Sequence, residues 1–272
     1  MMKSVAQRSL PPFIFDSIVK INNMRKNAAH KPKWRQIVGG LLKGRYLYVS
    51  RGHRYFNEML CGDYDCLFID YYESIDLLSK TVIDVGAHIG YHTLCLALMV
   101  GNDGKVVSFE PNPYNIQRFQ TIIEKNRDLS DRVELHDFAL SNNAGEAKFI
   151  ISDQIDNMKS SGGFILGTRV TSDKRHTLPG YKAHNVRTIT LDSFLAMNSY
   201  KSVKLVKIDV EGAEGLVLEG AKRLLDEQKP VLLIEIHSVS AMHRVSEIVH
   251  SFNYKIELLE EDRADRCFIA AR

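Results

Sequence analysis

Three acidic side chains lie close together in the segment Lys207-Ile-Asp-Val-Glu-Gly-Ala-Glu214, at the end of an apolar run that predicts a β-strand. Asp209 and Glu211 are two residues apart, so an extended backbone would place both carboxylates on one face. Such a pair can act as a general base for a hydroxyl acceptor, or bind a hard divalent cation through oxygen. Glu214 falls at the start of the next predicted helix, where an acid stabilises the helix dipole.

A histidine follows the next predicted strand. Glu235 and His237 alternate in Leu233-Ile-Glu-Ile-His237, so they too would share a face. Histidine titrates near neutral pH, which suits the removal of a hydroxyl proton. A hydrogen-bonded residue at the end of a strand is the structural alternative. We therefore expect the catalytic base to be Asp209, Glu211 or His237.

A glycine-containing turn connects a predicted strand to a predicted helix in Val85-Gly-Ala-His-Ile-Gly90. Glycines allow a sharp turn, and the helix start offers unpaired N–H groups to an anionic ligand. The dinucleotide fingerprint GxGxxG is absent because His88 occupies the place of its second glycine, which disfavours a nicotinamide cofactor. About 20 residues after Gly90, Glu110 ends the next strand, where an acid accepts hydrogen bonds from ribose hydroxyls. Together these features favour S-adenosylmethionine.

A further acid ends the third predicted strand. Asp137 precedes Phe138 and Ala139, at the place where a strand end of this kind of sheet would pass an adenine ring. Asp137 could accept a hydrogen bond from the adenine amino group, and Phe138 or Ala139 could pack on the ring. The alternative for Asp137 is an ordinary turn residue.

Strand and helix patterns alternate from Lys80 onward, which is typical of βαβ units in an α/β fold with a mainly parallel sheet. Tyr254–Leu259 and Cys267–Ala271, joined by a charged turn, predict a closing hairpin. The other predicted strands are Thr81–Val85, Lys105–Phe109, Arg132–Ala139, Ala147–Ser152, Val203–Val210 and Val231–His237, and the predicted helices are Gly90–Val100, one starting at Pro113 behind Asn112, Ala213–Glu227 and Ser240–Phe252.

The N-terminal region differs in charge from the rest. Residues 1–54 hold 12 Lys and Arg against one acid, Asp16, a net charge of +11, whereas the remainder carries −8. The basic region suggests an anionic partner, such as a phosphorylated substrate, a nucleic acid or a lipid surface, although a solvated helical extension is an equal alternative. We expect a basic extension of helix and short strands over 1–60 and a second domain over 61–272.

Parts of both regions are less regular. Apolar residues between Phe13 and Met24 have near-helical spacing, and Tyr46–Tyr72 predicts short strands or a hairpin. Asp153–Gly180 is polar and contains glycine, which predicts a long loop or lid.

Composition and length exclude several classes of protein. No apolar run approaches the roughly 18 residues that cross a bilayer, and no cleavable leader is evident, although the apolar N-terminal helix face could contact a membrane peripherally. The four cysteines form neither a CxxC pair nor a disulfide framework. We expect a cytoplasmic protein with reduced thiols, and the sequence leaves its oligomeric state open.

Four segments, taken in order, resemble the FkbM family of methyltransferases over about residues 62 to 240. The segments are Val82-Ile-Asp-Val-Gly-Ala-His-Ile-Gly-Tyr-His-Thr93, Phe109-Glu-Pro-Asn-Pro113, Thr190-Leu-Asp-Ser-Phe194 and Lys207-Ile-Asp-Val-Glu-Gly-Ala-Glu214. The resemblance implies a Rossmann-like class I fold with seven strands, S-adenosylmethionine as methyl donor, and O-methylation of a sugar, glycan or natural-product-like hydroxyl.

The resemblance also implies roles for single residues. Asp84, Gly86, Gly90 and Glu110 would hold the cofactor, and Asp209 would face the methyl group or the acceptor. His88 stands where the loop of the family usually has asparagine. With their neighbours, the expected cofactor-binding residues are Asp84, Gly86, Ala87, His88, Gly90, Glu110, Pro111, Asn112, Asp137, Phe138, Ala139 and Asp209.

These expectations leave two alternative functions. An RNA methyltransferase could hold phosphates with the basic N-terminal region, and its binding would weaken steeply with salt. A cofactor-binding interaction module would hold the cofactor without turnover. Amine-directed methyltransferases often have an Asn-Pro-Pro-aromatic sequence after the fourth core strand. This chain has Asp209 and Glu211 at that position, which argues against an amine acceptor. We expect a small-molecule or glycan acceptor, which could be anionic, and no metal ligands, although a divalent cation is compatible with these acids.

Overall fold

The computed structural model describes residues 32–51, 53–152, 163–168, 177, 179–200, 202–261 and 266–272. Its strands are β1 (Lys33–Gln36), β2 (Tyr46–Val49), β3 (Thr81–Val85), β4 (Lys105–Phe109), β5 (Val133–His136), β6 (Ala139–Leu140), β7 (Gly145–Ser152), β8 (Phe164–Ile165), β9 (Tyr181–Ile189), β10 (Val203–Ile208), β11 (Val231–Ile236), β12 (Ile256–Glu261) and β13 (Cys267–Ala271). Its helices are α1 (Arg54–Cys61), α2 (Cys66–Glu73), α3 (Tyr91–Met99), α4 (Pro113–Lys125), α5 (Arg127–Ser130), α6 (Leu191–Met197), α7 (Glu214–Glu219), α8 (Lys222–Glu227) and α9 (Val239–Ser251).

A central sheet of seven strands, in the order β12-β13-β11-β10-β3-β4-β5, organises this part of the chain. Strands β11, β10, β3, β4 and β5 are parallel, whereas β13 is antiparallel to both β11 and β12. All five residues of β3 are buried, as expected for a parallel strand covered on both faces. The expected Rossmann-like sheet and the closing hairpin are confirmed.

Local capping signals place the helices. Asn112 accepts a hydrogen bond from the backbone N–H of Tyr114, and Pro113 occupies the first helical position of α4, as expected. The expected helix Ala213–Glu227 is instead two helices, α7 and α8. The chain bends at Gly220, where a Cβ atom would lie 2.1 Å from the carbonyl oxygen of Ser141.

A second sheet, in the order β6-β9-β7-β8, lies outside the central one. The expected strand Arg132–Ala139 is divided between the two sheets, because β5 ends at His136 and β6 pairs with β9. β7 was expected in part, as Ala147–Ser152, whereas β9 was not expected. The exposed alternate residues of β9 lower its apolar content and hide it from a pattern search.

The region before the central sheet is more helical than expected. β1 and β2 form an antiparallel hairpin, but the expectation of strands continuing to Tyr72 is wrong, since α1 and α2 follow. The side chain of His53 caps α1, and Phe56, Met59 and Leu60 bury one helical face. These side chains share a hydrophobic core with the helices of the central sheet.

Some expectations fall on undescribed parts of the chain. The amphipathic segment from Phe13 to Met24 and most of the expected loop Asp153–Gly180 lie outside the described residues. In the described ranges, none of the helices combines the length and the apolar character needed to cross a bilayer.

Candidate active site

A cavity of about 600 Å³ lies at the carboxyl ends of the central strands. Loops following β3, β4, β10 and β11 form its floor, the edge of the second sheet forms one wall, and residues of α1, α2 and the C-terminal hairpin form the other. This is the edge at which open α/β sheets bind ligands. The volume is within the range of sites for small molecules and cofactors.

Lys207 is a buried cation under the cavity floor. It is 2% exposed, and its Nζ lies 3.2 Å from Oδ1 of Asp84 and 3.6 Å from Oδ2 of Asp209. Nζ also donates to the carbonyl oxygen of Gly86 at 3.2 Å. Burial alone would lower the pKa of Lys207, but Asp84 and Asp209 outweigh it and raise the pKa above its ordinary value. Lys207 therefore stays charged and joins β10 to the loop after β3.

Asp84 is completely buried and belongs to this internal ion pair. Its Oδ2 accepts a hydrogen bond from the hydroxyl of Thr93 at 2.6 Å, and its side chain does not line the cavity. The structure therefore favours Asp84 as the partner that keeps Lys207 in place, rather than as a direct ligand of the cofactor.

His237 is surrounded by carboxylates. Its Nδ1 lies 2.7 Å from Oε1 of Glu214. Its Nε2 lies 3.4 Å from Glu235 and 3.7 Å from both Asp209 and Glu211. Burial opposes the charged imidazolium, but the hydrogen bonds to Glu214 and Glu235 and the neighbouring charges raise the pKa of His237 to about 10. His237 is thus protonated at neutral pH and orients the acids around it, which favours a carboxylate as the base.

Asp209 is the acid best placed to accept a proton. Its side chain is 24% exposed, toward the cavity. Burial and the nearby charge of Glu235 raise the pKa of Asp209, although Lys207 and His237 oppose the shift. A carboxylate with a raised pKa holds a proton more firmly than an ordinary one, so it is a stronger base.

Asp209 and Glu211 do not share a face of an extended strand, contrary to expectation. β10 ends at Ile208, and Glu211 has a left-handed backbone with φ of 54°. The turn nevertheless brings both carboxylates to His237. Glu214 accepts a hydrogen bond from the N–H of Gly212 in addition to contacting His237, so it orders this turn from the first position of α7.

Glu110 ties the glycine loop to the end of β4. Its carboxylate accepts from the backbone N–H of His88 at 2.8 Å and of Asn112 at 2.9 Å, and from the side-chain amide of Asn115 at 3.3 Å. Burial raises its pKa to about 7 despite these hydrogen bonds. Glu110 lines the cavity, so a carboxyl group that can accept hydrogen bonds is held where the sequence predicts ribose recognition.

His88 lies at the turn of the glycine loop with φ of 52°. Its ring is stacked on Phe56 of α1, with centroids 6.4 Å apart. Burial, with a smaller contribution from Arg118, lowers the pKa of His88 to about 3. The imidazole is therefore neutral at physiological pH and contacts the helix that covers the cavity.

The two glycines of the loop are needed for packing. At Gly86, with φ of 79°, a Cβ atom would lie 1.9 Å from the carbonyl oxygen of Asp209. At Gly90 a Cβ atom would lie 2.3 Å from the ring of Phe119. Gly86 thus lets β3 and β10 bring their loops together at the cavity floor.

The second sheet supplies an apolar wall. Phe138, Ala139 and Leu140 line the cavity together with Phe149 and Ile165. This surface suits a flat aromatic ring such as adenine. The expected contact residue Asp137 is exposed and lies outside the lining.

The opposite end of the cavity is built from residues that motif reasoning did not find. Tyr64 lines the wall, and burial together with the nearby Asp65 raises its pKa well above the ordinary value. Asp65 lies 2.9 Å from Nε2 of His92, whose Nδ1 lies 3.2 Å from the hydroxyl of Tyr72. No strand end marks these positions in the sequence; the paired aromatic residues of α2 are the only local signal.

The expected site residues thus divide into two groups. Those that line the cavity are Gly86, Ala87, His88, Glu110, Pro111, Phe138, Ala139, Asp209, Glu211 and His237. Those that lie outside its lining are Asp84, Gly90, Asn112 and Asp137. For Asp84, Gly90 and Asn112 the structure gives an ion pair, a close packing contact and a helix cap as alternatives to ligand contact.

A family comparison gives this arrangement a context. The model of the FkbM methyltransferase domain matches residues 84–256, from the acid of β3 to the first residue of β12. The chain belongs to this family. It is accordingly a methyltransferase, as the sequence motifs predicted.

Individual relatives of this FkbM-family chain are distant. The hexuronic acid methyltransferase AglP of Haloferax volcanii is 24% identical over 189 residues, which cover 70% of this chain and 69% of that protein. The crystal structure of an FkbM methyltransferase from Methylobacillus flagellatus matches with a TM-score of 0.50 and 19% identity over 74% of this chain. That match spans 50% of the crystallised chain, so about half of its length has no counterpart here.

A third match is an S-adenosylmethionine-dependent O-methyltransferase structure from Thermotoga maritima, with a TM-score of 0.47 and 12% identity. It covers 83% of this chain and 72% of the other.

Proposed function

We propose that this FkbM-family protein transfers a methyl group from S-adenosylmethionine to a hydroxyl oxygen of a sugar, a glycan or a similar polyhydroxylated molecule. The observation that carries the proposal is the position of Asp209. Its carboxylate faces the same cavity as Glu110, and its pKa is raised. A ribose-binding acid and a basic carboxylate therefore share one enclosed site.

The residues at one end of the cavity fit the cofactor. Glu110 can accept hydrogen bonds from two ribose hydroxyls, and Phe138 and Ala139 provide an apolar surface for adenine. The backbone from Gly86 to His88 lies beside Glu110 and faces the cavity, where it can receive the amino-acid end. When bound, S-adenosylmethionine supplies an activated methyl group on a sulfonium.

The other residues supply alignment and a base. Methyl transfer is an in-line displacement, so the protein must hold the acceptor oxygen in position and exclude water. Asp209 takes the hydroxyl proton as the oxygen attacks. His237 and Lys207 are positioning residues, because they hold the carboxylate of Asp209 from two sides at 3.7 Å and 3.6 Å.

Two observations support a hydroxyl over an amine and a sugar over other acceptors. The turn after β10 carries the carboxylates of Asp209 and Glu211, which are suited to deprotonating a hydroxyl. The relative AglP acts on a hexuronic acid, according to its name. A sugar hydroxyl is therefore the first acceptor class to examine.

The cofactor is tested by calorimetry with S-adenosylmethionine. We expect micromolar affinity, roughly −8 kcal/mol, which Glu110→Ala abolishes. Glu124→Ala, on the solvent side of α4, is the matched control and should bind as the wild type does. A well-folded wild-type protein that does not bind S-adenosylmethionine would refute the proposed function.

The base is tested by single-turnover transfer with Asp209→Asn. We expect the rate to fall by about 10²- to 10⁴-fold, the usual contribution of a general base, while cofactor affinity stays within a few-fold of the wild type. Asp226→Asn, an exposed change on α8, serves as control. An unchanged rate in Asp209→Asn would exclude Asp209 as the base.

A further inference from the structure

Acidic side chains dominate the cavity. Among the described residues that line it there are eight Asp and Glu against three Lys and Arg. Counting His237 as a cation and leaving out Glu110, whose pKa is about 7, the described lining residues keep an excess of three negative charges. Glu110 lies beside the glycine loop, whereas the other seven acids lie on α1, the loop before α2, the turn after β10, β11 and β12.

The three lining cations are already paired. Arg54 contacts Glu58 at 2.6 Å and Arg266 contacts Glu235 at 2.5 Å. Lys207 contacts Asp84, a buried carboxylate outside the lining, at 3.2 Å. An anionic acceptor would therefore have to share one of these cations with its carboxylate partner while facing the remaining carboxylates.

A positive group already lies at the acceptor end. The guanidinium of Arg266 lies between the carboxylate of Glu235 and the face of Phe268, with its Cζ 5.6 Å from the ring centroid. An ion pair and a cation–π contact thus act on one group. The ring of Phe68 packs edge-on against Phe268 with centroids 5.7 Å apart, and apolar walls of this kind strengthen the field of the carboxylates.

We propose that the acceptor carries a positive charge, as a protonated amine on its sugar or ring, and that the cavity disfavours uronic acids and other anions. This inference rests on the proposed function and narrows its substrate class. It departs from the substrate named for the distant relative AglP, and from the anionic acceptor that the basic N-terminal region suggests.

The physical reason is electrostatic complementarity. A protonated amine replaces the hydration lost on entry by hydrogen bonds to carboxylates such as those of Asp63 and Glu260, which line the rim. A carboxylate at the same place would meet like charges, and each lining Lys or Arg among the described residues already has a carboxylate partner. The excess of three negative charges is large enough for a sulfonium and an acceptor amine to be bound together.

The test uses three methyl glucosides that differ at one carbon: the 6-amino-6-deoxy compound, the parent sugar and the glucuronoside. Their affinities for the full chain loaded with S-adenosylhomocysteine are measured by saturation-transfer NMR at low and high salt. We expect the amino sugar to bind roughly fivefold or more tighter than the parent, and the glucuronoside to bind weakest. The differences should shrink with added salt.

Matched variants show whether the cavity causes the preference. Glu260→Gln and Asp63→Asn should reduce the ratio between the affinities for the amino sugar and the parent sugar. Glu257→Gln, the same change on β12 outside the lining, should leave the ratio at its wild-type value.

A parent sugar or glucuronoside that binds as tightly as the amino sugar overturns the inference, as does failure of the amino sugar to bind. Affinity for S-adenosylmethionine, measured on the same samples, separates a failure of this inference from a failure of the proposed function. If the cofactor binds and no charge preference is found, the inference is wrong and the proposed function stands. If the cofactor does not bind, the proposed function is wrong.

Discussion

Lys207 is the side chain on which both strand ends of the site depend. It compensates the completely buried Asp84 and contacts Asp209. Lys207→Met would leave Asp84 buried without its cation, so we expect a loss of about 3–5 kcal/mol in the free energy of unfolding, measured by urea denaturation. Lys204→Met, an exposed change on the same strand, should cost far less.

A second substitution separates the charge from the packing in that experiment. The double variant Lys207→Met/Asp84→Asn removes both members of the ion pair, so it should recover much of the lost stability. If the double variant is less stable than Lys207→Met, burial of an uncompensated charge is not the cause of the loss.

Glu110 makes stability depend on pH. Its pKa is about 7 in the folded protein, against an ordinary value of 4.5. Between these values the folded state holds a proton that the unfolded state has lost, so stability falls as pH rises through 7. Relative to Glu110→Gln, the free energy of unfolding of the wild type should decrease from pH 4.5 to 8, by at most on the order of 3 kcal/mol.

Urea denaturation across this pH range measures the effect. The difference between the two proteins isolates Glu110 from the other titrating groups. Parallel pH profiles for wild type and variant would show that folding does not raise the pKa of Glu110.

Residue types at strand ends were the part of the site that could be read from the sequence. Glu110, Asp209, Glu211 and His237 were found because strand periodicity marks where a parallel strand reaches the ligand edge. Lys207 was missed, although a charged residue in an otherwise buried strand indicates a buried partner. Asp84 was expected at the cofactor, but its partner is decided by a contact between two strands distant in sequence.

At the scale of the elements, the loop after β3 packs closely against the backbone of the turn after β10. Gly44 and Gly86 both have positive φ, 90° and 79°, but a Cβ atom at Gly44 has nothing within 4 Å. Gly44→Ala should therefore cost only the backbone strain of about 1–2 kcal/mol. Gly86→Ala should cost clearly more, because a methyl group would overlap the carbonyl oxygen of Asp209.

Thermal or urea unfolding of both glycine variants gives the comparison, and cofactor affinity gives a second readout. Gly86→Ala should weaken cofactor binding, since it separates the loops of β3 and β10, and Gly44→Ala should not. Equal stability losses in the two variants would mean that the loops can move apart without cost.

Elements with strong internal periodicity were predicted well, and elements defined by distant partners were not. β3, β4, α4 and β13 agree closely with expectation because each is apolar in a regular pattern or has a clear cap. α1 and α2 were taken for strands because their aromatic residues favour strands locally. Their helical form is stabilised by packing on the core of the central sheet, which a local pattern does not contain.

At the scale of the whole molecule, the cavity joins parts of the chain that should respond to ligands separately. Saturating cofactor, at about 100 times its dissociation constant, should stabilise the protein by about 2.7 kcal/mol. In hydrogen exchange we expect protection of residues 86–90, 110–112 and 138–140 on adding cofactor. Residues 54–65 and 266–268 should gain protection only when an acceptor is also bound.

We expect separate protection because the cavity has two walls. The second sheet forms one wall, and α1, α2 and the C-terminal hairpin form the other. Amides in the C-terminal half of α9, which has no residue in the cavity lining, provide an internal control. Simultaneous protection of all segments by cofactor alone would show that the two ends of the cavity close as one unit.

Strand β13 lies between β11 and β12, although it follows both along the chain. During synthesis, β12 therefore leaves the ribosome without its partner strand until residues 267–271 emerge. Arg266 and Phe268 arrive with that strand and complete the acceptor end of the cavity. The glycine loop, Glu110 and the apolar wall are made long before. Until residues 266–272 emerge, the nascent chain thus has the residues proposed for the methyl donor and lacks Arg266 and Phe268 from the opposite wall.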